Sequence, residues 1–151
     1  MYDHEYYMRL ALSLAREAEE DGEVPVGSVV VNTDGLVIGY GRNRREKFSS
    51  VIAHAEIEAI EEACKTLNDW RLAGCSLYVT LEPCPMCAGA VIMSRIDKLF
   101  YGARDEVTGS CGSVTNLFME AYGQSTHVTG GLLADECGEL LTEFFGKLRS
   151  R

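Results

Sequence analysis

His54-Ala55-Glu56 and Pro83-Cys84-Pro85-Met86-Cys87 bring one imidazole, one carboxylate and two thiols into a short pattern, with Cys84 standing 30 residues after His54. Imidazole and thiolate are donors that zinc prefers, in a tetrahedron whose last corner a catalytic site leaves to water. Cys84 and Cys87 are three apart, so on the first turn of a helix both sulfurs lie on one face. The positive end of the helix dipole also favours thiolate over thiol. Two thiolates cancel the charge of a zinc dication, making it a milder Lewis acid than one held by three histidines. Helix N-termini aimed at the metal, and Glu56 as proton carrier, are the groups that could offset this. Residues two apart on a helix normally point away from each other. His54 and Glu56 therefore share a site only if they sit on the exposed first turn, with the ligand approaching the helix end. A structural zinc site completed by Cys111 or His127 is the competing reading, and it leaves Glu56 without a task. Taken alone, Glu56 would read as a surface glutamate. His4, near the terminus, and His127, at a strand start, read as bystanders.

These groups need elements to hold them. Tyr6 to Asp21 reads as an amphipathic helix, with Asp3 or a neighbour as its cap and Gly22 and Pro25 as its stop. Val24 to Val31 is a nearly continuous apolar, β-branched run, suited to a strand buried on both faces. Asn32-Thr33-Asp34-Gly35 is a turn signal that returns Leu36 to Tyr40 as a hairpin. A basic loop with Arg42, Arg44, Arg45 and Lys47 precedes a helix from about His54 to Leu67. Leu77 to Leu81 is a strand, and Pro85 suits the first turn of a helix running to about Ser94. Lys98 to Tyr101 is the next strand, so the strand–helix–strand unit implies a right-handed crossover and a parallel pair. Gly102 to Thr115 reads as a loop, His127 to Thr129 as an edge strand, and Leu132 to Leu148 as a final amphipathic helix. The expected fold class is α/β, a three-layer α/β/α arrangement with a mixed, about five-stranded sheet.

The 151 residues match one domain with a substantial core, so residues 1–151 are read as a single domain. Hydrophobic residues form 46% and charged residues 25%, an ordinary globular balance. No apolar run approaches the ~18 residues of a membrane span. The N-terminal residues lack the basic start and apolar core of a signal peptide. The expected compartment is the cytoplasm, where the six cysteines stay reduced. Cys64, Cys75, Cys111 and Cys137 are read as small buried side chains. The formal net charge of −9 argues against general nucleic-acid binding but leaves room for a local basic groove. The acidic residues cluster at Glu17, Glu19, Glu20, Asp21 and Glu23, away from the basic loop just upstream of His54.

Further strings accompany the metal pattern: Gly22-Glu23-Val24-Pro25-Val26-Gly27, Trp70-Arg71-Leu72, Leu77-Tyr78-Val79-Thr80-Leu81-Glu82, Ser94-Arg95-Ile96, Tyr101-Gly102-Ala103-Arg104-Asp105 and Phe144-Phe145. Over essentially its whole length the chain resembles the bacterial tRNA-specific adenosine deaminases, of the cytidine-deaminase-like superfamily, whose zinc signature includes His-x-Glu and Pro-Cys-x-x-Cys. The resemblance implies hydrolytic deamination of adenosine to inosine at the wobble position of a tRNA anticodon. Water attacks C6 and ammonia leaves, with Glu56 as the catalytic proton shuttle between water, a ring nitrogen and the departing amine. It further implies one zinc ion per chain on His54, Cys84 and Cys87. It implies a base contact from Asn43, pocket walls from Val26 and Leu81, and Asp105 near the RNA backbone. Asn43 as a turn residue and Asp105 as a loop cap are the alternatives. The implied partners are a tRNA anticodon stem-loop and a second copy of the chain in a homodimer. The chain departs from the family pattern at Val51-Ile52, where many members have Pro-Thr, and at Thr126-His127, where many have Asn-His. A deaminase of free guanine or cytosine, or of a nucleoside, shares the metal chemistry. A non-catalytic zinc-stabilised RNA-binding scaffold is the third reading, and it has no use for Glu56.

Overall fold

A computed structural model of the protein describes residues 3–150. Asp3 caps the first helix, α1 (His4–Glu20), by accepting a hydrogen bond from the Tyr6 amide. The helix ends in a paired-carbonyl cap: Gly22 donates to the Glu19 carbonyl and Glu23 to that of Ala18. Gly22 has φ +80°, a left-handed conformation that costs glycine little. The chain then enters β1 (Gly27–Val31), turns, and returns as β2 (Val37–Arg42). The Asn32 side chain accepts from the amides of Asp34 and Leu36, which closes the hairpin. The apolar run from Val24 therefore becomes strand only from Gly27, its first residues being spent on the approach. A short helix, α2 (Arg45–Phe48), occupies the segment expected to be a basic loop.

Helix α3 (Ala55–Leu67), strand β3 (Ser76–Leu81), helix α4 (Pro85–Met93) and strand β4 (Lys98–Ala103) follow. A 3-10 turn at Leu117–Met119, strand β5 (His127–Thr129) and helix α5 (Ala134–Arg149) complete the described chain. The sheet order is β2-β1-β3-β4-β5. β1 runs antiparallel to β2 and β3, whereas β3, β4 and β5 are mutually parallel. This is the mixed five-stranded α/β sheet expected from the sequence.

Alternate valines of β1 face different cores. Val30 joins Ala55, Ala59, Leu77, Val79 and Val91 under α3 and α4. Val29 and Val31 join Met8, Ala11, Leu12, Tyr78 and Phe100 under α1, with α5 packed beside them. A strand covered on both faces needs a continuous apolar run, which is what β1 carries. Each fully buried Val or Leu contributes about 1.5–3 kcal/mol relative to exposure. Helix α3 lies directly on β2 because Gly39 and Gly41 leave no side chain between them: a Cβ at either would overlap the carbonyl of Ala59 or Ala55. That close approach fixes the N-terminal end of α3 against the end of β2.

Because β1 is antiparallel to its neighbours, its N-terminal end lies beside the C-terminal ends of β2 and β3. Gly27 pairs with Arg42, Ser28 with Val79, and Leu81 with Ala103. Segments 24–26, 43–45, 82–84 and 104–108 thus emerge at one end of the sheet, where ligand sites of open α/β sheets characteristically form.

Candidate active site

His54 is the N-cap of α3, with extended φ −91° and ψ 155°, and Cys84 is the N-cap of α4. Glu56 is on the first turn of α3, and Cys87 on the first turn of α4 behind Pro85. The extended cap turns His54 off the helical path, so it and Glu56 reach one site despite their spacing. His54 Nδ1 lies 3.7 Å from Cys84 Sγ and 3.5 Å from Cys87 Sγ. Zinc in a tetrahedron, with Zn–N of ~2.05 Å and Zn–S of ~2.3 Å, requires N···S separations of about 3.6 Å. The three ligand atoms lie within 4.8 Å of one another, and among the described residues no other side chain belongs to the group. Neither Cys111 nor His127 adds a fourth protein ligand there. The donor set and spacing fit one zinc ion with a corner left for water.

The side chains of this group shift one another's proton affinities in opposite directions. The hydrogen bond from Cys87 pulls the Cys84 thiol down to about 4, against burial, and the bond to His54 adds to the effect. Cys87 moves the opposite way, because giving that bond and being buried both hold its proton. The hydrogen bond with Cys84 raises His54 above its ordinary 6.5, with burial opposing. Burial pushes the Glu56 carboxyl up to about 7, with its own backbone amide and His54 pulling it back. Such a carboxyl is poised to take and give a proton near neutrality. Glu56 is only 4% exposed, so it is not the surface residue its type alone would imply.

A cavity of about 490 Å3 opens over these groups. His54, Glu56 and Cys84 form its floor, and Val26, Leu81, Asn43 and Asp105 line it too. Every residue singled out from the sequence except Cys87 faces this cavity, and Cys87 reaches the site from behind through the metal-ligand group. Asn43 Nδ2 donates to the Val24 carbonyl at 3.1 Å and Oδ1 accepts from the Arg45 amide at 3.1 Å. An amide has a further N–H and a further lone pair, so one donor and one acceptor remain. Asp105 accepts from the amides of Val107 and Thr108 and from the Thr108 hydroxyl, which makes it the cap of its own loop.

Further side chains at the cavity were assigned no individual site role from the sequence. Arg45 and Arg104 come from different segments, and Leu141 and Phe145 reach over from α5. Of the basic stretch, Arg42 pairs with Glu17 and Asp21, and Arg44 pairs with Glu58 at 2.8 Å. Among the described residues, the ion pair of Arg45 is a loose 3.9 Å contact with Glu46. Two buried carboxylates hold the surrounding segments. Glu82, 2% exposed, accepts from the amides of Asp105, Cys111 and Ser113 and from the Ser113 hydroxyl. Burial alone would raise its pKa, but these bonds outweigh it and hold the carboxyl below its usual 4.5. Glu23, also 2% exposed, accepts from the amides of Glu46 and Lys47. Glu23, grouped from the sequence with the acidic residues near the end of the first helix, is thus a buried structural carboxylate.

The cytidine and deoxycytidylate deaminase zinc-binding region matches residues 1–103. A tRNA-specific adenosine deaminase of Bacillus subtilis is 48% identical, over all of this chain and 94% of that protein. A solved structure from studies of A-to-I editing by tRNA:A34 deaminases at the wobble position of transfer RNA superposes with a TM-score of 0.86 at 44% identity, over 90% of this chain and 99% of that one. A guanine deaminase from Nitrosomonas europaea superposes with a TM-score of 0.86 at 30% identity, over 97% of this chain and 86% of that one. With a zinc-fitting His-Cys-Cys group, a buried glutamate beside it and these likenesses along its length, the chain belongs to the cytidine-deaminase-like superfamily, in its tRNA-specific adenosine deaminase family.

Proposed function

We propose that the chain, as one domain over residues 1–151, hydrolytically deaminates adenosine to inosine at the wobble position of a tRNA anticodon. The observation that carries the chemistry is Glu56, buried in the cavity floor beside three side chains spaced for zinc. The likeness to tRNA-specific adenosine deaminases carries the substrate. His54, Cys84 and Cys87 would hold the ion, which would supply Lewis-acid activation of a water for attack on C6. Glu56 takes one proton from the attacking water and gives it to a ring nitrogen; it then carries the second, from the hydroxyl formed at C6, to the amine, which leaves as ammonia as C6 becomes a carbonyl. Val26 and Leu81 supply apolar walls for a planar base. Asn43, fixed at both ends, offers its remaining N–H and lone pair to the base edge. Asp105 shapes the loop that carries Arg104. Arg45 and Arg104, on segments that flank the cavity, suit the phosphates of a looped RNA strand better than a free base, which has none.

A homodimer is part of this reading. Helix α4 carries no charged residue, and a helix apolar on all sides is ordinarily buried. Its Cys87, Ala88, Val91 and Ile92 face the core, while Met93 is 66% exposed and open space surrounds Gly89. A second copy packed on the Met86, Gly89, Ala90 and Met93 face would bury it. Among the described residues no helix is long and apolar enough to cross a membrane, and a cytoplasmic setting fits a tRNA substrate.

Mass spectrometry of an anticodon stem-loop incubated with the zinc-loaded protein tests the assignment. The expected product is the inosine-containing loop, formed much faster than any product from free adenosine, guanine or cytosine. Turnover of the free compounds alone would refute the RNA substrate.

A further inference from the structure

Glu23 plays no part in the chemistry above, yet it is nearly inaccessible and both its oxygens are committed to main-chain amides. Oε1 accepts from Glu46 N at 3.0 Å and Oε2 from Lys47 N at 2.8 Å. Those amides belong to the opening turn of α2, whose own N-cap, Arg44, makes no capping hydrogen bond through its side chain. A helix start leaves amides without intrahelical partners. Here a carboxylate more than twenty residues away in sequence satisfies two of them. The left-handed Gly22 that ends α1 sets the direction in which Glu23 leaves the helix. The neighbouring main chain is tied to the same wall: Val24 O accepts from Asn43 Nδ2, and Val26 O accepts from Asn43 N, each at 3.1 Å. Arg45, the first residue of α2, is the side chain that this clamp leaves free to face the cavity.

We propose that Glu23 is a positioning residue for the RNA substrate, acting through the α2 amides to hold Arg45 at the cavity. The inference rests on the tRNA reading. Glu82 has a comparable arrangement on the segment after β4, but it stands two residues from Cys84, so Glu23 allows the cleaner test. Glutamine at this position keeps the size and one acceptor. Its NH2 group faces an amide N–H, so one bond is lost and donor meets donor. The α2 turn then loosens while the metal ligands and Glu56, on α3 and α4, keep their supports.

Steady-state kinetics on an anticodon stem-loop, with zinc content and circular dichroism measured on each protein, tests this. The variants are Glu23→Gln, Arg45→Ala and the double replacement. Glu23→Gln is expected to raise KM about tenfold with kcat within about twofold, as for lost ground-state positioning rather than lost chemistry. Its zinc content should stay at one per chain. The double variant should be no worse than Arg45→Ala alone, because a residue that acts through Arg45 has nothing left to position. Unchanged kinetics in Glu23→Gln, multiplicative effects in the double variant, or joint loss of zinc and kcat would each overturn the inference. If Glu23→Gln does not fold, Glu23→Asp, which keeps the carboxylate but shortens it, is expected to show a smaller KM increase that is again absent on the Arg45→Ala background. A wild-type protein inactive on the stem-loop would overturn the tRNA assignment and this inference together. An active wild type with an indifferent Glu23→Gln would overturn only the inference.

Discussion

At the scale of single residues, the proposed site separates holding a metal from moving a proton. His54, Cys84 and Cys87 are the atoms within ligand distance of one another, whereas Glu56 lies beside them in the cavity. Glu56→Ala should therefore retain one zinc per chain and the native circular dichroism. Ammonia release should fall by about 10²–10⁴-fold, the range typical of losing a general acid–base. A variant that stays active would refute the shuttle. Cys84→Ala should have the opposite signature, losing zinc first and activity as a consequence, because two protein ligands hold the ion far less tightly than three. Metal analysis after dialysis, with activity assayed before and after zinc is added back, separates the two outcomes. Glu56 was legible in the sequence because its chemistry depends on local spacing from His54. Glu23 was not, because its burial follows from pairing with amides 23 and 24 residues further on, which no short window contains.

At the scale of elements, close approach decides the register of the layers. Gly41 lies under α3, and a Cβ there would meet the Ala55 carbonyl next to the metal-binding end of the helix. Gly41→Ala should destabilise the fold by about 1–3 kcal/mol, the usual cost of overpacking, read as a lower urea midpoint. It should also weaken zinc retention, since His54 caps the helix that must move. The C-terminal helix is seated by a different device. Cys137 of α5 packs against Gly102 of β4, and burial pushes its thiol up to about 11 from an ordinary 9.0. The folded state thus favours the neutral thiol. The resulting stability is fully present below the unfolded value and is lost as pH rises through the folded one. Between about pH 9 and 11 the urea midpoint should fall, and Cys137→Ala should flatten that fall; an equally steep decline in the variant would assign it to other groups. Periodicity and turn residues made α1, the hairpin, α3, α4 and the parallel pair readable beforehand. Three features escaped that reading: the short α2, the late start of β1, and the reach of Leu141 and Phe145 into the cavity. Each depends on how distant segments meet rather than on the pattern within one segment.

At the scale of the whole molecule, net charge and local charge point in different directions. A chain of net charge −9 repels RNA in general, yet Arg45 and Arg104 face the cavity, while Arg42 and Arg44 are neutralised by Glu17, Asp21 and Glu58. Binding to a loop should then weaken with salt less steeply than in proteins that engage six to ten phosphates. The α4 face makes the other demand on the assembly. Met86, Gly89, Ala90 and Met93 recur at helical spacing with no charged neighbour in the helix, and the small residues between the methionines would let a second helix approach closely. Sedimentation equilibrium should give twice the chain's mass at micromolar concentration. Met93→Glu, which would bury a charge without a partner in such an interface, should shift the equilibrium strongly toward the monomer. Met93 packs on little within its own chain, being 66% exposed, so the monomer released by that change should keep its fold and its zinc. A wild-type protein that sediments as a monomer at tens of micromolar would refute the α4 interface, and a Met93→Glu variant that remains dimeric would move the interface to another face.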